Sequence, residues 1–186
     1  MITAMHLEWN LHYFRWVIDD GESEVHIGDV FDWFAVSFWS DVPLIRTTEN
    51  TRTAVPLADG HYRVNAEVTY ISKDPKQAAC IIDFAIRAIS EAGGILGVPL
   101  PPGCQEGGYV TGEVQLELPL CTTVHPHNLN HQWRVNKISA DLTPYAQDLA
   151  DRVFIRDTSQ VLYKDVAGTD SVRARSYLLH CSDLNS

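Results

Sequence analysis

The sequence predicts a mainly β domain, an antiparallel barrel or sandwich of short strands. Apolar residues alternate with polar ones in several runs. Gly and Pro break those runs at short intervals, and aromatic and β-branched side chains are concentrated inside them. One helix is expected near residues 75–92, and α+β is the alternative class.

The first strand is expected in HLEWNLHYFRWVI, residues 6–18, where Leu7, Trp9, Leu11 and Tyr13 recur at period two. Asp19-Asp20-Gly21 makes a turn. Residues 24–39, EVHIGDVFDWFAVSFW, read as a strand or bent strand pair, with Gly28 supplying the bulge or tight turn. Residues 40–60 are rich in Pro, Gly and Thr and read as a connection. In HYRVNAEVTYIS, residues 61–72, Tyr62, Val64, Ala66, Val68 and Tyr70 share one face of a strand. The run VNAEVTYISKD, residues 64–74, is similar to the first strand of an oligonucleotide-binding barrel.

Residues 74–94 carry the helical signal. Asp74 suits an N-cap, with Pro75 at the first helical position. Ala78, Ile81, Ile82, Ala85, Ile86 and Ile89 fall on one helical face, and Gly93-Gly94 ends it. A buried strand is the alternative for AACIIDFAIRAI. VPLPPGCQEGG, residues 98–108, is the clearest loop. It offers a division within what is otherwise expected to be one domain, residues 1–186. Beyond it, YVTGEVQLELPL gives a strand with Val114, Leu116 and Leu118 in register, and Trp133, Val135 and Ile138 mark another. A short helix is expected from Thr143-Pro144 to about Val153. The tail offers RVFIRD, QVLYKDV and SVRARSYLLHC as strands.

A chain of 186 residues buries about 70% of its unfolded surface and needs no disulfide or metal to hold together. Its net charge is −10, and the imbalance is confined to residues 1–133, with 7 Lys/Arg against 17 Asp/Glu. That sign repels phosphate backbones, so no nucleic-acid partner is expected, whereas a basic protein partner suits it. Cys80, Cys104, Cys121 and Cys181 form no C-x-x-C pair and read as free thiols of a cytoplasmic protein. No secretory signal and no apolar run of membrane-spanning length is read, so no membrane is expected.

Three segments are candidates for function. Trp9, Trp16, Trp33 and Trp39 crowd the N-terminal third, where rings outside the core can stack on sugars or anchor a protein partner. Asp19, Asp20, Glu22 and Glu24 open DDGESEVHIGDVFD, a run of six carboxylates without a Lys or Arg that suits a basic partner. Cys121, His125, His127 and His131 bring thiolate and imidazole into eleven residues, a donor set for zinc or another divalent transition metal. The His125-Pro126-His127 element resembles part of the cupin metal motif, which implies imidazoles sharing one side of an extended segment. Signatures of the common hydrolases, nucleotide-binding loops and zinc proteases are absent. The sequence therefore favours a non-catalytic binding or interaction protein of accessory, regulatory or immunity type, without a cofactor. A small metal-dependent barrel enzyme or ligand binder built on the histidines is the alternative, and a carbohydrate-binding module comes third.

Overall fold

The structure, a computed structural model, describes residues 8–74, 78–92, 100–118, 129–148 and 153–185. Strands account for 56% of it, and a closed five-stranded barrel is its main feature, so the mainly β barrel class holds. The chain divides into two compact units. One comprises Met1–Phe31 and Trp133–Leu184, the other Asp32–Gln132. No helix among the described residues is long and apolar enough to cross a membrane.

The second unit holds the barrel, built from β2 (Val30–Trp39), β5 (His61–Ile71), β6 (Ala78–Asp83), β7 (Arg87–Ala92) and β8 (Tyr109–Glu117). β5, β6 and β7 form an antiparallel meander. β2 runs parallel to β7, with Val36 opposite Ala88, and antiparallel to β8, with Phe38 opposite Leu116. β8 pairs with β5 from His61↔Gln115 to Glu67↔Tyr109 and so closes the ring. Two short strands flank it: β3 (Ile45–Thr47) pairs with β8, and β4 (Thr53–Pro56) pairs with β5. The ring order is therefore β5-β6-β7-β2-β8, and β5 opens the meander.

Period-two alternation explains the barrel interior. Tyr62, Val64, Ala66 and Val68 of β5 and Val110, Val114 and Leu116 of β8 are buried, while Arg63 and Glu113 face solvent. Tyr70 lies beyond a register shift after Val68, yet it still packs on the cluster of Ala35, Ile81, Ile89 and Leu129.

The helix expected near 75–92 is instead the hairpin of β6 and β7, so far as residues 78–92 are concerned. Pro75 and the Gly93-Gly94 pair lie outside the described residues. Cys80, Ile81, Ile82, Asp83 and Phe84 are buried in succession, which leaves no polar face for an amphipathic helix. Pairing with β5 and the preference of isoleucine for strands override the helical spacing. The turn at Phe84–Ile86 holds Ala85 at φ 111°, and Phe84 N–H donates to the Ile86 carbonyl at 3.1 Å.

The first unit contains a four-stranded antiparallel sheet in the order β12 (Tyr163–Val166), β9 (Asn130–Asp141), β13 (Ser176–Asp183), β1 (Glu8–Phe14). Trp9, Leu11 and Tyr13 of β1 are buried with Tyr177, Leu179 and Cys181 of β13. The expected first strand ends at Phe14. Arg15–Asp19 forms α1, the one α-helix among the described residues, whose entry is fixed by Arg15 N–H donating to the Arg175 carbonyl at 2.8 Å. The helix expected from Thr143 to about Val153 is absent over residues 143–148, and residues 149–152 lie outside the described residues. β10 (Tyr145–Asp148) pairs antiparallel with β11 (Val153–Arg156). Thr143 is buried, and its Oγ1 accepts from Leu162 N–H and Arg156, so it serves as a cross-link and does not start a helix.

A single substitution separates hairpin from helix at residue 85. In the hairpin, Ala85→Gly relieves a left-handed backbone and raises stability by about 1 kcal/mol in urea titration. In a helix the same change would cost about 1 kcal/mol.

Candidate ligand groove

The barrel unit carries an open groove of about 590 Å³, and barrel register builds it. Its floor is the outward face of β8, with Thr111, Glu113 and Gln115. Trp39 stands opposite Gln115 on one side and His61 opposite it on the other, so a Trp–Gln–His row crosses three strands. Between the pairs Trp39↔Gln115 and Ile45↔Thr111 the chain spends residues 40–44 against 112–114 of β8. The surplus lifts Asp41, Val42 and Pro43 away from the strand as one wall. Ser40 Oγ ties the bulge down by donating to the Glu113 carbonyl at 2.8 Å. The turn Ala58–Gly60 forms the opposite wall, with Asp59 in the left-handed region at φ 61°, a conformation Asp tolerates better than most residues.

Gly112 makes this arrangement possible. A Cβ at residue 112 would lie 2.6 Å from Leu44 Cδ2, and Leu44 is fully buried. A glycine in the middle of a well-formed strand marks a close approach by another segment, here the end of the bulge.

The groove is apolar in its walls and acidic in its charge. Trp39, Val42 and Ile45 are 43%, 72% and 63% exposed and lie together along the groove. Asp41, Asp59 and Glu113 are its charged groups, and no Lys or Arg lines it among the described residues. Arg63, outside the lining, bonds Glu113 at 2.9 Å. The indole N–H of Trp39 donates to Asp41 Oδ1 at 3.1 Å, which fixes ring and carboxylate relative to each other. Next to the floor, burial pushes the Glu117 carboxyl above its ordinary range, partly offset by the Gln115 amide donating to it at 2.9 Å.

The residues singled out from the sequence are dispersed. Trp39 lines the groove. Trp9 is buried in the first unit's core, which removes it from the candidate binding rings, and Trp33 lies on β2. Trp16 is exposed and stacks with Phe14 at 6.4 Å. Asp19, Asp20, Glu22 and Glu24 lie in or just after α1 and are already served in part by cations. Asp19 meets Arg15 at 3.0 Å and Arg173 at 3.9 Å, and Glu24 meets Arg15 at 3.2 Å and the Thr169 hydroxyl. Cys121, His125 and His127 lie outside the described residues, while His131 is on β9. Among the described residues no three His, Cys, Asp or Glu side chains are grouped to hold a metal.

One cluster in the first unit has the composition of a catalytic group. Ser139 Oγ lies 3.1 Å from His180 Nε2 and donates to Asp165 at 3.0 Å. The carboxylate therefore holds the hydroxyl proton that a general base would have to take, and Ser139 is buried. Burial lowers the pKa of His180, and Lys137 bonds Asp165 at 3.0 Å. The hydroxyl is a bridge between strands.

Comparison with known proteins adds nothing to this geometry: no family model, no curated protein and no solved structure matches the chain.

Two outcomes follow from the groove. Gly112→Ala forces the buried Leu44 side chain to repack and costs about 1–3 kcal/mol, read by thermal or urea unfolding. Glu117 carries the other. Because its folded pKa is raised, the folded state binds more protons than the unfolded one between the ordinary carboxyl range and the raised value. Its contribution is fully present below that window and is lost as pH rises through the folded pKa. Glu117→Gln therefore stabilises the protein at neutral pH, and the gain shrinks towards pH 4 in unfolding titrations.

Proposed function

We propose that this chain is a non-catalytic binding protein that docks a basic segment of a protein partner in the groove beneath Trp39. The observation that carries the reading is the lining itself: exposed apolar side chains around three carboxylates, with no Lys or Arg among the described lining residues. Apolar contact supplies affinity, while the carboxylates select sign and speed the encounter. The net charge of −10 supports the same sign of partner. An accessory, regulatory or immunity role suits a domain of this kind.

The Trp39–Gln115–His61 row favours a second reading, a carbohydrate site in which the indole stacks on a sugar face and the amide and imidazole bond its hydroxyls. Salt separates the two, because a neutral sugar is indifferent to it.

The test is calorimetric titration with a short peptide of mixed Arg, Lys and Ala. Binding is expected at low salt and weakens as salt rises, since exposed charges are screened over about 8 Å at physiological ionic strength. The variant Asp41→Asn/Asp59→Asn/Glu113→Gln is expected to fold and to lose most of the affinity. Failure of the peptide to bind at low salt, or binding that ignores both salt and the variant, overturns the reading. Salt-independent binding of an oligosaccharide lost in Trp39→Ala establishes the second reading in its place.

A further inference from the structure

We infer that Trp39 and Asp41 form a recognition pair for an arginine side chain, so that the basic segment docked in the groove is selected by an arginine and not by positive charge alone; this rests on the groove being the partner site. The indole N–H of Trp39 donates to Asp41 Oδ1 at 3.1 Å. That bond holds the ring and uses one carboxylate oxygen, leaving the other oxygen of Asp41 for a ligand beside an indole that is 43% exposed. A cation over an aromatic face with a carboxylate at its edge is the arrangement a guanidinium fills best. It is planar, so it stacks parallel to the ring while its N–H groups point outward from its own plane's edge towards the carboxylate oxygen that the indole leaves free. A lysine ammonium meets the same two groups as a point charge and cannot satisfy both with one geometry.

The three carboxylates are not equivalent. Glu113 is engaged by Arg63 at 2.9 Å, so part of its charge is already neutralised. Asp41 and Asp59 have no salt-bridge partner among the described residues and stand on opposite walls. The backbone of Asp59 is set by a left-handed turn between Ala58 and Gly60. Asp41 is fixed by the indole and by the bulge that Ser40 anchors. A groove whose anionic groups are held before the ligand arrives has little ordering entropy left to lose. Val42, Pro43 and Ile45 continue the wall beside the ring and suit the methylene stem of an arginine and an apolar neighbour in the same segment. The occupant is thus an arginine flanked by apolar residues in an extended segment of another protein.

The experiment uses the full chain and two synthetic peptides identical except for one central Arg or Lys, with a third carrying citrulline there as the neutral isostere. Binding is followed by calorimetry and by the indole N–H resonance of Trp39, assigned by its disappearance in Trp39→Phe. The arginine peptide is expected to bind about tenfold tighter than the lysine peptide and to shift the Trp39 resonance, while the citrulline peptide binds at least tenfold more weakly. Trp39→Ala and Asp41→Asn are each expected to remove most of the Arg-over-Lys ratio, with circular dichroism melting showing that both variants remain folded. Equal, salt-dependent binding of the Arg and Lys peptides overturns the inference and leaves the proposed function standing. Failure of all three peptides at low salt overturns both. Free Nα-acetyl-arginine amide binding as tightly as the arginine peptide overturns the protein-segment occupant, because the site would then be complete for a small molecule.

Discussion

The barrel unit depends on both edges of β8 being occupied. Every backbone N–H and C=O of a central strand needs a partner, and β8 finds them in β5 along one edge and in two successive pieces, β3 and β2, along the other. The same strand that closes the ring therefore also hosts a change of partner. The change falls at Gly112, and it produces the bulge, the buried position of Leu44 and the wall that carries Asp41. A Cβ at 112 would meet Leu44 Cδ2 at 2.6 Å, so the buried Leu44 side chain would have to shift.

A second consequence of that frame is rigidity at the site. Trp39 is the last residue of β2, His61 the first of β5, and Gln115 lies between them on β8. Side chains placed by three paired strands have fixed spacing, unlike side chains on a free loop. The two wall segments are anchored at both ends by the same strands and braced internally, Ser40 by the Glu113 carbonyl and Leu57 N–H by the His61 carbonyl at 2.8 Å. Exposed hydrophobic side chains on so fixed a frame find no relief by local collapse, which is why their exposure is informative.

Some of this was legible in the sequence and some was not. Alternation in 61–70 and 114–118 is a local property, and both runs are strands with the expected faces inward. The helical pattern in 78–92 misled because a strand buried on both faces reads as a continuous apolar run, and spacing cannot separate that from one side of a helix. Trp39 stood out by type. Asp41, Asp59, His61, Glu113 and Gln115 did not, because register alone assembles residues from positions 39 to 115, and residues 40–60 read only as a connection. The one local clue was Gly112 inside the otherwise strand-forming YVTGEVQLE, where entropy argues against glycine unless something must come close.

The acidic character of the chain has two physically different parts. In and just after α1, Asp19 and Glu24 are paired with Arg15 or Arg173 on a partly exposed surface, where ion pairs are screened and contribute little. Such charges contribute to the long-range field of the surface and do not orient a ligand. In the groove, Asp41 and Asp59 stand beside apolar side chains, so carboxylate and apolar contact are offered together. Attraction that is generic at a distance becomes selective only where carboxylate, ring and apolar wall meet, and among the described residues that coincidence is found at Trp39 and Asp41.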